Sequence, residues 1–187
     1  ARHGGDSPLG IWEGPRKSYL RGTLKAEGGY FDSSNAWFGN AKGNIGQSTN
    51  SWYEWVVHPG VEGSYHFEES GEVYGRFSFV NGNTQDIDAA GSNVGRGNDG
   101  DTSHTSVEIA FLCWRSGYLF SSLGKDFLDV SFGMQQYVVG NGFLFYSQSS
   151  NGQGRGAYWS GERKAAEYAG IAKVNYGQFN GNLVYFK

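Results

Sequence analysis

Residues 53–67, Y-E-W-V-V-H-P-G-V-E-G-S-Y-H-F, hold a single alternation for longer than an ordinary strand lasts. Tyr53, Trp55, Val57, Pro59, Val61, Gly63, Tyr65 and Phe67 take the odd positions, while Glu54, His58, Glu62, Ser64 and His66 fall among the even ones. Successive strand side chains point to opposite faces, so the stretch reads as one ribbon with an apolar face and a polar, charged face. Strands in soluble domains run about 3–10 residues. A strand crossing a bilayer at a tilt of ~45° needs roughly 9–11 and can continue into water. The ribbon is expected to be a wall strand of a membrane barrel.

The neighbouring segments repeat the pattern. A first strand is expected over 22–31, with Leu24, Ala26, Gly28 and Tyr30 opposite Thr23, Lys25 and Glu27. After the turn Glu68-Glu69-Ser70-Gly71, residues 72–80 set Val73, Gly75, Phe77 and Phe79 against Glu72, Tyr74, Arg76 and Ser78. Further strands are expected over 103–114, 127–137, 165–176 and 179–187. In 103–114, Val107, Ile109, Phe111 and Cys113 are taken to face away from His104, Ser106 and Glu108. In 127–137, Leu128, Val130, Phe132 and Met134 stand opposite Asp129, Ser131 and Gln135; in 165–176, Tyr168, Gly170, Ala172, Val174 and Tyr176 stand opposite Glu167, Lys173 and Asn175.

The connections between these strands run long, short, long, medium, long, short. In an up-and-down array every second connection lies at the same end, so the long ones, 32–50, 81–102 and 138–164, gather together. Long outer loops over short inner turns characterise outer-membrane barrels. The expected fold is therefore all-β: an antiparallel up-and-down transmembrane β-barrel wall over residues 21–187, with about seven strands. Residues 1–20, with scattered Gly and Pro and no sustained period, read as an irregular N-terminal arm. An open wall would leave unpaired edges inside lipid, so the seven strands are expected to be part of a larger barrel, closed by further strands or other chains.

Composition supports a β-rich chain with many turns: 31 Gly, 17% aromatic residues and only three Pro among 187 residues. No uninterrupted apolar run approaches 18 residues, which excludes a transmembrane helix but not a barrel. A net charge of -3 without a basic stripe argues against nucleic acid as a partner. Cys113 is the only cysteine, so neither an internal disulfide framework nor a cysteine-based metal site is available. No cofactor or metal is called for.

The runs W-F-G-N at 37–40, E-W-V-V-H-P-G-V-E-G at 54–63, D-A-A-G-S-N at 88–93, W-R-S-G at 114–117, G-M-Q-Q-Y-V-V-G-N-G-F-L-F at 133–145 and R-K-A-A-E-Y-A-G-I-A at 163–172 resemble the alginate-export-type outer-membrane porins of Gram-negative bacteria. The similarity covers most of the chain after about residue 20, and only the N-terminal part of such a porin. It implies a large β-barrel of the bacterial outer membrane that passes a hydrophilic solute, a polyuronate in the best-known members. The sequence departs from that picture in its polar face, which is acid-heavy and would repel a polyanion. Met134 stands where a polar or basic residue is expected in such members.

The expected pore-lining residues are Lys25, Glu27, Glu54, His58, Glu62, His66, Glu72, Arg76, Glu108, Asp129, Gln135, Glu167 and Lys173. Such a wall passes small hydrophilic solutes or saccharides passively, with outer-membrane lipid against its other face and no catalytic residue. The alternative is a soluble β-sandwich that binds or hydrolyses carbohydrate, with two of Glu54, Glu62, Glu72 and Glu108 as acid and base. His58 and His66, eight positions apart and so roughly 26 Å along a strand, cannot share one metal. Asp86, Asp88, Asp99 and Asp101 are either a calcium loop or an ordinary acidic surface, their spacing lacking a regular loop pattern. Trp52, Trp55, Tyr65, Phe67, Tyr168 and Tyr176 are placed in aromatic girdles at the lipid headgroups, against a sandwich-core or sugar-stacking reading.

Overall fold

The computed structural model describes residues 7–89, 101–143, 145–146, 156–160 and 164–187. Eight strands form a single antiparallel sheet in the order β1-β2-β3-β4-β5-β6-β7-β8, each paired with its sequence neighbour. They are β1 (Ser7–Glu13), β2 (Tyr19–Ser34), β3 (Thr49–His66), β4 (Glu72–Gln85), β5 (Thr102–Arg115), β6 (Leu128–Gln135), β7 (Ala166–Tyr176) and β8 (Phe179–Phe186). β1 and β8 are not paired with each other, so the sheet is open.

The strand count corrects the expectation of seven. Part of the stretch expected as an irregular arm is β1, whose register on β2 runs from Ser7 opposite Leu24 to Glu13 opposite Tyr19. Its alternation was hidden by a bulge between Gly10 and Trp12, which leaves Ile11 as an extra residue.

Strand lengths exceed the soluble norm in the middle of the sheet. β2, β3, β4 and β5 have 16, 18, 14 and 14 residues. The first expected loop shrinks to 35–48, which contains the one-turn helix α1 (Ala41–Ile45) stopped by Gly46 in the left-handed conformation. The second shrinks to 86–101 because β4 continues through Asn81, Asn83 and Gln85. The long connections still fall at one end of the meander and the short ones at the other.

At the short-connection end two turns interlock. Gly71 adopts φ +90, and a Cβ there would lie 1.9 Å from the Arg115 carbonyl oxygen. Gly117, at φ +56, has the same constraint against Gly71. The Tyr118 N–H donates to the Glu69 carbonyl at 3.2 Å and the Trp114 indole to the Ser70 carbonyl at 3.1 Å.

Burial along the ribbon runs opposite to that of a soluble sheet. On β3, Asn50, Trp52, Glu54, Val56, His58 and Ser64 are buried, while Tyr53, Trp55, Val61 and Tyr65 are exposed. Leu24, Phe77, Phe79, Leu112, Phe132, Leu183 and Tyr185 extend this bare apolar face across the sheet. The apolar core is small: Val56, Val80 and Ala157 form one cluster, and Ala166, Ala169 and Ile171, with Tyr137, Val184 and Phe186 against them, form another. All described strands belong to the one sheet, so no second sheet lies over the apolar face.

Two face assignments change. The β4–β5 register shifts between Ser78 and Phe79, where Ser78 opposes Ile109 and Phe79 opposes Val107, leaving Glu108 at a bulge. Beyond it Ile109, Phe111, Cys113 and Arg115 join the polar, covered face, while Ala110, Leu112 and Trp114 turn to the bare one. Residues 107–114 are apolar at nearly every position, so their alternation carries no phase; the pairing with β4 sets it. Trp52 also lies on the covered face rather than in a girdle, 3% exposed and stacked on Phe31 at 5.3 Å.

Candidate functional site

The register places most of the expected polar residues together on the covered face. Lys25 opposes His58, Arg21 opposes Glu62, Glu62 opposes Arg76, His66 opposes Glu72, Glu72 opposes Arg115, Arg115 opposes Asp129 and Asp129 opposes Lys173. The result is a band of alternating charge across β2 to β7. Glu27 shares the face and pairs with Lys25 at 3.1 Å. Glu167 is exposed, beside the irregularity opposite Gly133 and Gln135.

Nearest the short turns, buried polar groups form a connected network. Asp129, 5% exposed, accepts from the Cys113 thiol at 3.0 Å, from Arg115 Nε at 3.2 Å and from the Tyr74 hydroxyl at 3.4 Å. Arg115 Nη1 donates to Glu72 Oε2 at 3.0 Å, and the Ser64 hydroxyl donates to Glu72 Oε1. His66 Nε2 lies 3.6 Å from the same carboxylate. Its backbone N–H donates to the Ser18 hydroxyl at 3.0 Å, tying β3 to the first short connection. A buried carboxylate without donors is costly, so these bonds let a polar wall exist where an ordinary domain would place a core.

Above this network lies an open depression of about 390 Å³ whose lining includes Tyr19, Glu62, Tyr74, Arg76, Gln135 and Lys173. The Arg21 guanidinium sits 3.9 Å from the Tyr19 ring centroid and 2.9 Å from Glu62, both side chains about a quarter exposed. Gln135 accepts from Ser131 at 3.0 Å, and His58 Nε2 lies 2.8 Å from the Ser78 hydroxyl.

Toward the long connections the carboxylates have other partners. Both Glu54 oxygens accept from Trp159 and Ser160, and Glu108 Oε1 accepts from the backbone N–H groups of Lys164 and Ala165. In the acidic connection, the Asp88 carbonyl accepts from Asn50 Nδ2 at 2.6 Å and Asp101 Oδ1 accepts from the Asp86 N–H at 3.1 Å. Asp99 lies outside the described residues. Among the described residues no three His, Cys, Asp or Glu side chains are grouped to hold a metal ion.

Sequence reasoning did not single out Arg21, Tyr74, Cys113 or Arg115 for the site. Tyr74 already stood in the polar row of 72–80, and Arg21 follows from strand parity once β2 is extended to Tyr19. Cys113 and Arg115 depend on the β5 bulge, which the apolar run conceals.

Fold and face together define a class: an all-β meander in one open sheet, with a charged, hydrogen-bonded face covered and an apolar face bare. No family model, curated protein or solved structure matches this chain significantly.

Proposed function

We propose that this chain forms wall of an outer-membrane β-barrel porin, of the alginate-export type that its motifs resemble, through which small hydrophilic solutes or saccharides pass without covalent chemistry. The observation that carries the reading is the inverted burial: Glu54, His58, Glu108, Asp129 and Gln135 are covered, while Phe77, Phe79, Leu112, Phe132 and Tyr168 are bare. In water that arrangement exposes a large contiguous apolar surface, which soluble monomers rarely do. Against hydrocarbon it is the stable one, with every second residue facing lipid.

The open edges fit the same reading. Backbone groups along β1 and β8 would go unsatisfied in hydrocarbon, so the wall closes by pairing with further strands or other chains. Traffic is then biased by the wall charges around the depression, Glu62, Arg76 and Lys173. A carbohydrate hydrolase is less well supported, because Glu54 and Glu108 accept backbone N–H groups while Glu62 and Glu72 pair with Arg21 and Arg115.

Detergent phase separation tests the proposal. The chain is expected in the detergent-rich phase, with gel mobility that changes on boiling. Recovery as a monodisperse species in detergent-free buffer overturns it.

A further inference from the structure

Residues 156–160 and 164–165 belong to the third long connection, yet they lie on the covered face of the wall. The Ala157 N–H donates to Thr84 Oγ1 at 2.8 Å. Glu54, 1% exposed, accepts the Trp159 N–H at 3.2 Å, the Ser160 N–H at 2.8 Å and the Ser160 hydroxyl at 3.1 Å. Further along, Glu108 accepts the Lys164 and Ala165 N–H groups at 2.7 and 3.0 Å. Ala157 completes the apolar cluster with Val56 and Val80, and Trp159 leans on Trp52 with ring centroids 5.9 Å apart.

Backbone shape confirms a close fit. Gly156 adopts φ +75, and a Cβ there would stand 2.7 Å from the Gly82 carbonyl oxygen and 2.9 Å from that of Thr102. Only glycine lets the segment approach the β4–β5 backbone so closely. The carboxylate bonds are charge-assisted and shielded from water, the conditions under which they hold a segment in one place.

We infer that residues 156–160 and 164–165 form a constriction element, pinned inside the passage by Glu54, Thr84 and Glu108, which sets the largest solute that enters and hides two wall carboxylates from it. The inference rests on the porin reading, since only in a closed barrel is the covered face a lumen. Glu54 and Glu108 are then anchors, and the charge a solute meets is the more balanced set around Arg21, Glu62, Arg76 and Lys173. The solute class that fits is a small neutral or zwitterionic hydrophilic molecule such as a short saccharide, not a polyanion.

The test compares wild type, Gly156→Val and Glu54→Ala in planar bilayers and in vesicles swollen with neutral oligosaccharides of increasing size. Gly156→Val leaves the wall charge intact but cannot dock; Glu54→Ala removes an anchor. Both are expected to raise single-channel conductance and admit larger oligosaccharides, and only Gly156→Val, which uncovers the Glu54 carboxylate, is expected to become more cation-selective. If wild type conducts and both variants keep its conductance and size limit, the constriction is overturned and the porin reading stands. If wild type neither inserts nor conducts, the porin reading falls and the constriction with it.

Should either variant misfold, Glu54→Gln serves with amide hydrogen exchange. Loss of charge-assisted bonds is expected to speed exchange at Trp159 and Ser160 by roughly 10- to 100-fold. Unchanged exchange at both amides removes Glu54 as an anchor and overturns the inference.

Discussion

Phe79→Arg separates a lipid-facing sheet from a water-facing one. Phe79 lies midway along β4 on the bare face, 44% exposed, with its ring 5.0 Å from that of Phe77. Tyr65, 46% exposed on the same face, is one residue from the end of β3 and opposes Val73. From Val73 to Phe79 is six residues, roughly 20 Å along the strand and about 14 Å along the normal at a tilt of ~45°. In a hydrocarbon layer ~30 Å thick, that separation puts Phe79 near the midplane when Tyr65 sits at the interface.

An arginine at the midplane costs ~2–4 kcal/mol and one at the interface ~0–1. An exposed position in water costs within about 0.5 kcal/mol at either place. Loss of the Phe77 ring contact adds ~0.5–1.5 kcal/mol under both readings, so Phe79→Ala and Tyr65→Ala are subtracted as controls. The remaining difference between the two positions, ~1–4 kcal/mol, corresponds to roughly 5- to 1000-fold in the folding equilibrium. Denaturant titrations of folding into lipid vesicles, followed by tryptophan fluorescence, measure it. If the corrected costs at Phe79 and Tyr65 agree within about 0.5 kcal/mol, the bare face does not meet hydrocarbon and the wall reading is wrong.

Other substitutions probe the covered face and the turns. Gly71→Ala forces a Cβ to within 1.9 Å of the Arg115 carbonyl oxygen and a left-handed backbone, so a loss of at least ~2 kcal/mol is expected in the same titration. Asp129→Ala leaves Arg115, Tyr74 and Cys113 without their shared acceptor; it should destabilise by ~3 kcal/mol and make the buried Cys113 thiol reactive toward a maleimide in the folded state. Glu62→Gln removes a wall charge about a quarter exposed and 2.9 Å from Arg21, so stability should change by less than ~1 kcal/mol. Its effect should appear instead as a reversal potential shifted toward anions under a salt gradient.

Much of the wall was legible in the sequence because strand alternation is local. From Tyr53 to Phe67, and again from Val73 to Phe79, each residue's face follows from that of its neighbour, and turn residues such as Gly71 and Gly177 mark where strands reverse. Grouping of the long connections at one end follows from lengths alone. Where alternation was broken or saturated, the reading failed: the bulge at Ile11 concealed β1, and the apolar run at 107–114 gave β5 no phase until β4 supplied one.

By itself, then, the sequence determined an antiparallel meander with a charged and an apolar face, because those features depend on contacts between neighbouring residues and strands. Only the tertiary structure decided what covers the charged face. Glu54 and Trp159 are 105 positions apart, and no period links them. Glu54 looks on paper like any other solvated strand carboxylate. What fixes its role is a set of backbone N–H groups brought to it by a distant connection, and hydrogen bonds between segments so far apart leave no local pattern in the chain.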